Sequence, residues 1–356
     1  MSGREGRQGG MAGNGAKSVV KISDVARAAG VSPMTVSRVM NHAAGVKPST
    51  RDAVMAVVRQ LGYSPNAAAR NLARAGAGRL GLLYSNPSAS YLSEFLIGAL
   101  EGVRRSGAQL LIEKCDDADP DSERAAIARL VEGGVVGVVL PPPHGESWAA
   151  LAEIQAHGLS VVSVATGRFK SDAGTVRIDD MAAAAEMTRY LLDLGHRRIG
   201  FIKGAPNQTA SAERLIGFET ELQAAGASAE SLVEAGEFTY RSGFEATERL
   251  LAARRPPTAI FASNDDMAVA AIAAAHRRGL DVPGQLTVVG FDDTPLATAV
   301  WPALTTIRQP IAEMAHAAIR MLAEDAGGKP KGENDRREQL IAHTLVIRDS
   351  SAPPAT

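Results

Sequence analysis

Residues 22–40 read ISDVARAAGVSPMTVSRVM, and the order of small, apolar and capping residues in this stretch decides how the first part of the chain folds. Val25, Ala26 and Ala29 fall on one helical face, and Ala26 is small enough for a second helix to cross closely. Gly30 stands where a tight turn needs a residue tolerant of positive φ, and Val31 plugs that turn. Ser32 is placed to cap a second helix, Pro33 suits its first position, and Val36 and Val39 face back onto the first helix. Pro33, Met34, Thr35, Ser37 and Arg38 are left facing outward. This is a helix–turn–helix, whose second helix reads base edges through its N-terminal half. A third helix follows, with Ser49 and Asp52 as an expected capping box, Val54, Val57, Val58 and Leu61 as its stripe, and Gly62 as its stop.

Charge separates this head from the rest. Residues 1–79 hold twelve Lys and Arg against three acids, a balance of +9, whereas the other 277 residues carry a balance of −10. A basic head on an acidic body points to a polyanion-binding module joined to something else. Residues 1–18, Gly-rich and polar, read as a disordered tail. At 356 residues the chain is too long for one ordinary core. Aromatics are only 4%, so the interior must be built largely from Ala, Val, Leu and Ile. The single cysteine, Cys115, excludes a disulfide scaffold and any multi-thiolate metal site, and suits a reducing cytosol. No apolar run reaches the length of a membrane span, and the N-terminus lacks the apolar core of a signal peptide, so a cytoplasmic chain is expected.

From Arg79 the pattern changes period. Apolar, β-rich runs begin near Leu80, Gln109, Val135, Leu159, Ile199, Thr258 and Leu286, and alternate with amphipathic stretches such as 91–106, 121–132, 181–194, 211–225 and 265–278. Alternating strands and helices mean parallel sheets covered on both faces. There are too many units for one sheet, so the fold class is α/β: two doubly wound parallel-sheet lobes with a cleft between them, behind a three-helix head. Ligands bind such sheets beyond the C-terminal strand ends. The expected organisation is a tail at 1–18, the helix–turn–helix domain at 19–63, a hinge helix and linker at 64–78, the two-lobed domain at 79–349 with a last strand at His343–Ile347, and a frayed tail at 350–356.

KISDVARAAGVSPMTVSRVMN, followed by YSPNAAARNLA, closely resembles the lactose/galactose-repressor family of bacterial transcription regulators. LGHRRIGFI, ERLIGF, FASNDDMA, DVPGQLTVVGFDD and PALTTIRQP are similar to that family's effector-domain signatures, in the same order. The resemblance implies a homodimer on a palindromic operator in double-stranded DNA, a core like that of periplasmic sugar-binding proteins, and a small effector that changes operator affinity. Ser32 and Asn41 join the five outward residues as candidate DNA contacts. Residues 64–73 could form a short helix, capped by Ser64 and started by Pro65, that is marginal by itself and ordered only against a partner or DNA. By resemblance, Leu72 is the wedge driven into the minor groove, with Asn66, Ala69 and Arg70 flanking it.

Sugars are held by planar polar side chains and an aromatic face. Mapped by family motif, the effector candidates are Tyr91, Arg214, Phe238, Asn264, Asp265, Asp292 and Trp301. Many relatives carry an Asp where this chain has Ala165. The purine-responsive branch has an Arg near Gln208 and a Thr near Ala210, and their absence argues against a purine co-repressor.

Other patterns mislead. Gly76–Gly81 spells GxGxxG but opens a strand instead of a helix, and Gly10–Gly15 has Ala16 where a P-loop needs Lys. The seven histidines show no paired-ligand spacing, and no nucleophile elbow occurs, so no metal, no cofactor and no catalytic residue is indicated. Cys115 reads as an inert buried thiol, and Asp116, Asp117, Asp119 and Asp121 as loop and helix-start chemistry. The expectation is a non-enzymatic repressor of carbohydrate-utilisation genes released from DNA by a sugar. The alternative keeps the fold but answers to a partner protein, a phosphorylated metabolite or a purine co-repressor.

Overall fold

Three helices, α1 (Ile22–Ala29), α2 (Pro33–Met40) and α3 (Pro48–Leu61), pack around Val25, Ala26, Val36, Val39, Val54 and Val58, all buried. The computed structural model describes residues 22–40, 46–61, 78–85, 88–116, 119–167, 173–227, 232–326 and 338–355. Gly30 adopts φ +66° with open space around it, so its requirement is a backbone one. Ser32 Oγ accepts the Thr35 N–H at 3.1 Å, and Val31 N–H reaches Ala26 O at 3.0 Å to close the turn. The expected capping box does not form. α3 begins at Pro48, with the Arg51 N–H bonded to Lys47 O at 3.1 Å, which puts Ser49 inside the first turn. Leu61 is 36% exposed, so the buried stripe ends at Val58.

The chain divides into two compact units, Met1–Ala75 and Gly76–Thr356. The second contains two six-stranded sheets. The N-lobe sheet holds β1 (Arg79–Tyr84), β2 (Gln109–Lys114), β3 (Val135–Leu140), β4 (Ser160–Val164), β5 (Gly174–Arg177) and β11 (Glu338–Leu340), in the order β11-β5-β4-β3-β1-β2, all parallel. The C-lobe sheet holds β6 (Ile199–Ile202), β7 (Leu232–Glu234), β8 (Ala259–Ala262), β9 (Thr287–Asp292), β10 (Thr305–Arg308) and β12 (Thr344–Val346), in the order β12-β10-β9-β8-β6-β7, with only β12 antiparallel. In each sheet the strand order reverses beside the first strand, at β1/β3 and at β6/β8, and such switch points open a crevice for ligands.

Helices α4 (Ala89–Ser106), α5 (Pro120–Glu132) and α6 (Trp148–Ala156) cover the N-lobe. Helices α7 (Asp180–Asp193), α8 (Thr209–Ala224), α9 (Tyr240–Leu251), α10 (Asp265–Arg277) and α11 (Leu296–Ala299) belong to the C-lobe. The last helix, α12 (Ile311–Ala326), follows a C-lobe strand yet packs on the N-lobe against α4. Gly98 and Gly102 permit that crossing, because a Cβ at Gly98 would stand 1.9 Å from Ala312 O and one at Gly102 2.8 Å from Ile319. The backbone therefore passes between the lobes after β5, after β10 and after β11.

The terminal residues correct the expectation of a frayed end. Ser350 is fully buried, donating to Val288 O at 2.6 Å and accepting from the Thr305 N–H at 2.9 Å. His196 donates from Nε2 to Ala352 O at 2.9 Å, and its Nδ1 lies 2.9 Å from Thr258 Oγ1.

Candidate functional site

On α2 the surface is set by the helix period. Pro33, Met34 and Arg38 are exposed, Met34 by 71%, while Thr35 and Ser37 are half-buried and Val36 and Val39 turn inward. Ser32 is exposed, but its hydroxyl is engaged with the Thr35 N–H and with Thr35 Oγ1 at 2.9 Å. Asn41, Asn66, Ala69, Arg70 and Leu72 lie outside the described residues.

In the second unit, Ser88, Tyr91, Pro142 and Ala165 line one wall of the cleft, and Gln208, Ala210, Arg214, Phe238, Asn264 and Asp292 the other. Gln309, where the chain passes from β10 to α12, completes the lining. The walls bound about 410 Å³ of space, part of it open to solvent. Among the described residues four non-glycine residues have positive φ, and Ala165 (+52°), Phe238 (+59°) and Asp292 (+121°) are three of them. Each ends a strand or loop by turning sharply into the cleft, and strained backbone gathers where a site demands it.

Arg214 organises the C-lobe wall. Its Nε donates to Asp180 Oδ1 at 2.8 Å, its Nη1 donates to Ser263 O at 2.6 Å, and its guanidinium stacks 3.7 Å from the Phe291 ring centroid. Burial pushes the carboxyls of Asp180 and Asp292 above the ordinary aspartate range, against the pull of Arg214, which favours their charged forms. Burial also raises the Tyr91 phenol, with the charge of Asp292 adding to it. Asp292 Oδ1 accepts from Gln309 Nε2. The other amide atom, Gln309 Oε1, and the Tyr91 hydroxyl are buried without a partner. Both belong to residues that line the cleft.

Two expected residues stand elsewhere. Asp265 is fully buried under β9, where its carboxylate accepts from the Thr294 N–H at 2.8 Å and from Thr306 Oγ1 at 2.7 Å. Burial lifts its pKa to about 7, and its role is to bind strand ends together. Trp301 is 78% exposed, because Pro302 and Leu304 anchor the segment into the core and the alternation turns residue 301 outward. Asn264 reaches the cleft, but its amide caps α10 through Met267 N–H at 3.0 Å and donates to Phe238 O at 3.0 Å. Sequence reasoning missed Ser88, Pro142 and Gln309 on the wall, and Asp180 behind it. Ser88, Pro142 and Gln309 all follow strand ends, the signal that could have found them.

The segment 21–66 matches the model of the bacterial regulatory proteins of the lacI family, and 188–351 matches the periplasmic binding protein-like domain. The HTH-type transcriptional regulator DegA of Bacillus subtilis (strain 168) is 35% identical over 93% of this chain and 98% of its own. The chain belongs to the LacI family. Among solved structures, the transcriptional regulator CelR–cellobiose complex is similar at TM-score 0.69 and 28% identity over 93% of this chain and all of the other. The Lac repressor dimer bound to operator and the anti-inducer ONPF is similar at TM-score 0.69 and 26% identity, covering 94% of this chain and 99% of the other. LacI-family proteins are DNA-binding transcriptional regulators and not enzymes; they form dimers on operator DNA and answer to sugars or other metabolites. Among the described residues no helix is long and apolar enough to cross a membrane, and no cluster of His, Cys, Asp and Glu could hold a metal ion.

Proposed function

We propose that this LacI-family chain is a cytoplasmic repressor of carbohydrate-utilisation genes that a neutral sugar releases from a palindromic operator. The observation that carries the sugar reading is the pair of partnerless buried atoms, Tyr91 OH and Gln309 Oε1, on the cleft lining. Both accept from O–H donors, and a buried polar atom left unpaired is costly, so the site calls for a ligand rich in hydroxyls. Arg214 is the one Lys or Arg on the lining, and Asp180 already balances it. With Asp292 charged or neutral, no positive charge is left over for a phosphate. Phe238 offers a ring face, and Ala165 leaves open the space that an aspartate would fill. The CelR complex holds cellobiose, a neutral sugar, in a protein of the same fold.

On the DNA side, Met34, Thr35, Ser37 and Arg38 read bases, Pro33 and Ser32 set the helix start, and Asn41 extends the contact. Leu72 opens the minor groove, flanked by Asn66, Ala69 and Arg70. A thermal-shift panel of neutral pentoses, hexoses and disaccharides against the corresponding sugar phosphates tests the effector class. A sugar at about 100 times its Kd adds roughly 2.7 kcal/mol to stability. Stabilisation by a phosphorylated sugar and by none of the neutral ones rejects the reading.

A further inference from the structure

Cys115, read from the sequence as an inert buried thiol, has chemically active neighbours. Ser85 and Cys115 directly follow β1 and β2, and His144 stands on a 3-10 turn (His144–Glu146) beyond β3. These strands lie side by side in the order β3-β1-β2, so three successive strand ends bring a hydroxyl, a thiol and an imidazole together. Glu123, in the first turn of α5, supplies a carboxylate to the same point. All four residues are buried, Cys115 to 3% exposure, and none of them lines the cleft.

The contacts run in one direction. His144 Nδ1 lies 2.7 Å from Glu123 Oε1, and Ser147 Oγ donates to Glu123 Oε2 at 2.5 Å. With both carboxylate oxygens accepting, Nδ1 carries the imidazole proton. Nε2 then presents its lone pair to Ser85 Oγ at 2.7 Å and to Cys115 Sγ at 3.2 Å. A thiol beside a ring nitrogen, with the other nitrogen held by a carboxylate, is the arrangement that activates a nucleophile. Of the two groups on Nε2 the thiol ionises far more readily than the alcohol, so the chemistry falls to sulfur. Glu123 and Ser147 also border a second cavity, of about 520 Å³ and partly open to solvent, so the carboxylate end of the relay meets water.

We infer that Cys115 is a modification site: a thiol activated by His144 and oxidised by hydrogen peroxide. His144 Nε2 takes the thiol proton as Sγ attacks one peroxide oxygen and the O–O bond breaks. The leaving hydroxide recovers that proton from His144 and departs as water. Sulfur is oxidised by two electrons to the sulfenic acid, and the peroxide is reduced by the same two. Burial among Leu83, Ile127 and Leu140 selects the oxidant, since hydrogen peroxide is little larger than water and a bulky disulfide cannot reach the sulfur. His144 touches the reacting atom, whereas Glu123 is a positioning residue that acts through the ring.

Trapping of sulfenic acid by dimedone on the full chain, followed by mass spectrometry, tests this, because Cys115 is the single cysteine. The folded chain is expected to form the adduct about tenfold faster under hydrogen peroxide than the chain unfolded in urea, as a positioned base requires. Iodoacetamide, a larger reagent, should react more slowly with the folded chain than with the unfolded one. An inert buried thiol is protected from both reagents, so a peroxide rate in the folded chain at or below that of the unfolded chain overturns the assignment. His144→Gln should lower the peroxide rate about tenfold without raising that of iodoacetamide, which separates loss of the base from loosened packing. An unchanged peroxide rate in that variant removes His144 as the activating group. If His144→Gln does not fold, Glu123→Gln, which keeps the shape and removes the charge, must lower the peroxide rate without raising that of iodoacetamide, and failure to do so overturns the relay.

Discussion

Helix α2 and the interlobe cleft use their residues in opposite ways. On α2 the inward and outward residues divide the work: Val36 and Val39 hold the fold, while Met34 and Arg38 stand in solvent and contribute little to it. In the cleft one side chain does both. Arg214 neutralises the buried Asp180, bonds Ser263 O and stacks on Phe291, and the same residue lines the cleft. Function can therefore be removed from the head without cost to stability, whereas in the cleft the two are coupled.

The largest expected effect tests that coupling. Arg214→Ala leaves Asp180 buried and unpaired, so unfolding free energy measured by urea denaturation should fall by about 3–5 kcal/mol. Adding Asp180→Ala should recover part of the loss, because the orphaned carboxylate goes with it. If Arg214→Ala is as stable as the unsubstituted chain, the guanidinium is a ligand contact alone and the contrast between the regions disappears. Arg38→Ala should weaken operator binding by about 1–3 kcal/mol in gel-shift titration, with a smaller loss on random duplex. Its stability should move by less than about 0.5 kcal/mol, as for other surface changes. Equal losses on operator and random duplex would make Arg38 a phosphate contact.

The smallest effect lies at the C-terminal segment. Burial lowers the pKa of His196 below its unfolded value, and the bond to Ala352 O opposes that shift. The unfolded chain then takes up the proton first as pH falls, so this contribution to stability is present above the unfolded pKa of about 6.5 and is lost below it, as pH falls through the folded value. Thermal melts from pH 7.5 to 5.5 should show a decline that His196→Gln reduces. An identical pH profile in the two chains removes His196 as the cause.

What could be read from the residues follows the range of the forces. The turn at Gly30, the cap by Ser32 and the inward valines were legible because each depends on neighbours within four residues. The missed Ser49 cap belongs here too, since Lys47 and Pro48 shift the helix start by two residues. Strands such as Gly174–Arg177, Leu232–Glu234 and Glu338–Leu340 went unread, being three or four residues long and too short to show a period. In the cleft, family motifs singled out Tyr91, Arg214, Phe238 and Asn264 together with Asp265 and Trp301, yet could not tell wall from support. Asp265 and Asp292 are both buried acids at strand and helix ends, and only their surroundings separate them: Thr294 and Thr306 occupy the Asp265 carboxylate, whereas Asp292 lines the cleft.

By itself the sequence determined the helix–turn–helix, the alternation of strands and helices that makes two parallel sheets, the basic head and the motifs of a repressor's effector domain. These rest on period, capping chemistry and charge, which are properties of the chain. Only the tertiary structure decided that α12 returns to the N-lobe through the gap left by Gly98 and Gly102, that the final residues dock through Ser350, and that Gln309 and Tyr91 line one cleft with a buried atom each unpaired. It alone supplied α8 with a cap from Glu146, sixty-three residues earlier in the chain. Contacts between residues so far apart cost chain entropy that no local pattern records, and they exist because packing two lobes together repays it.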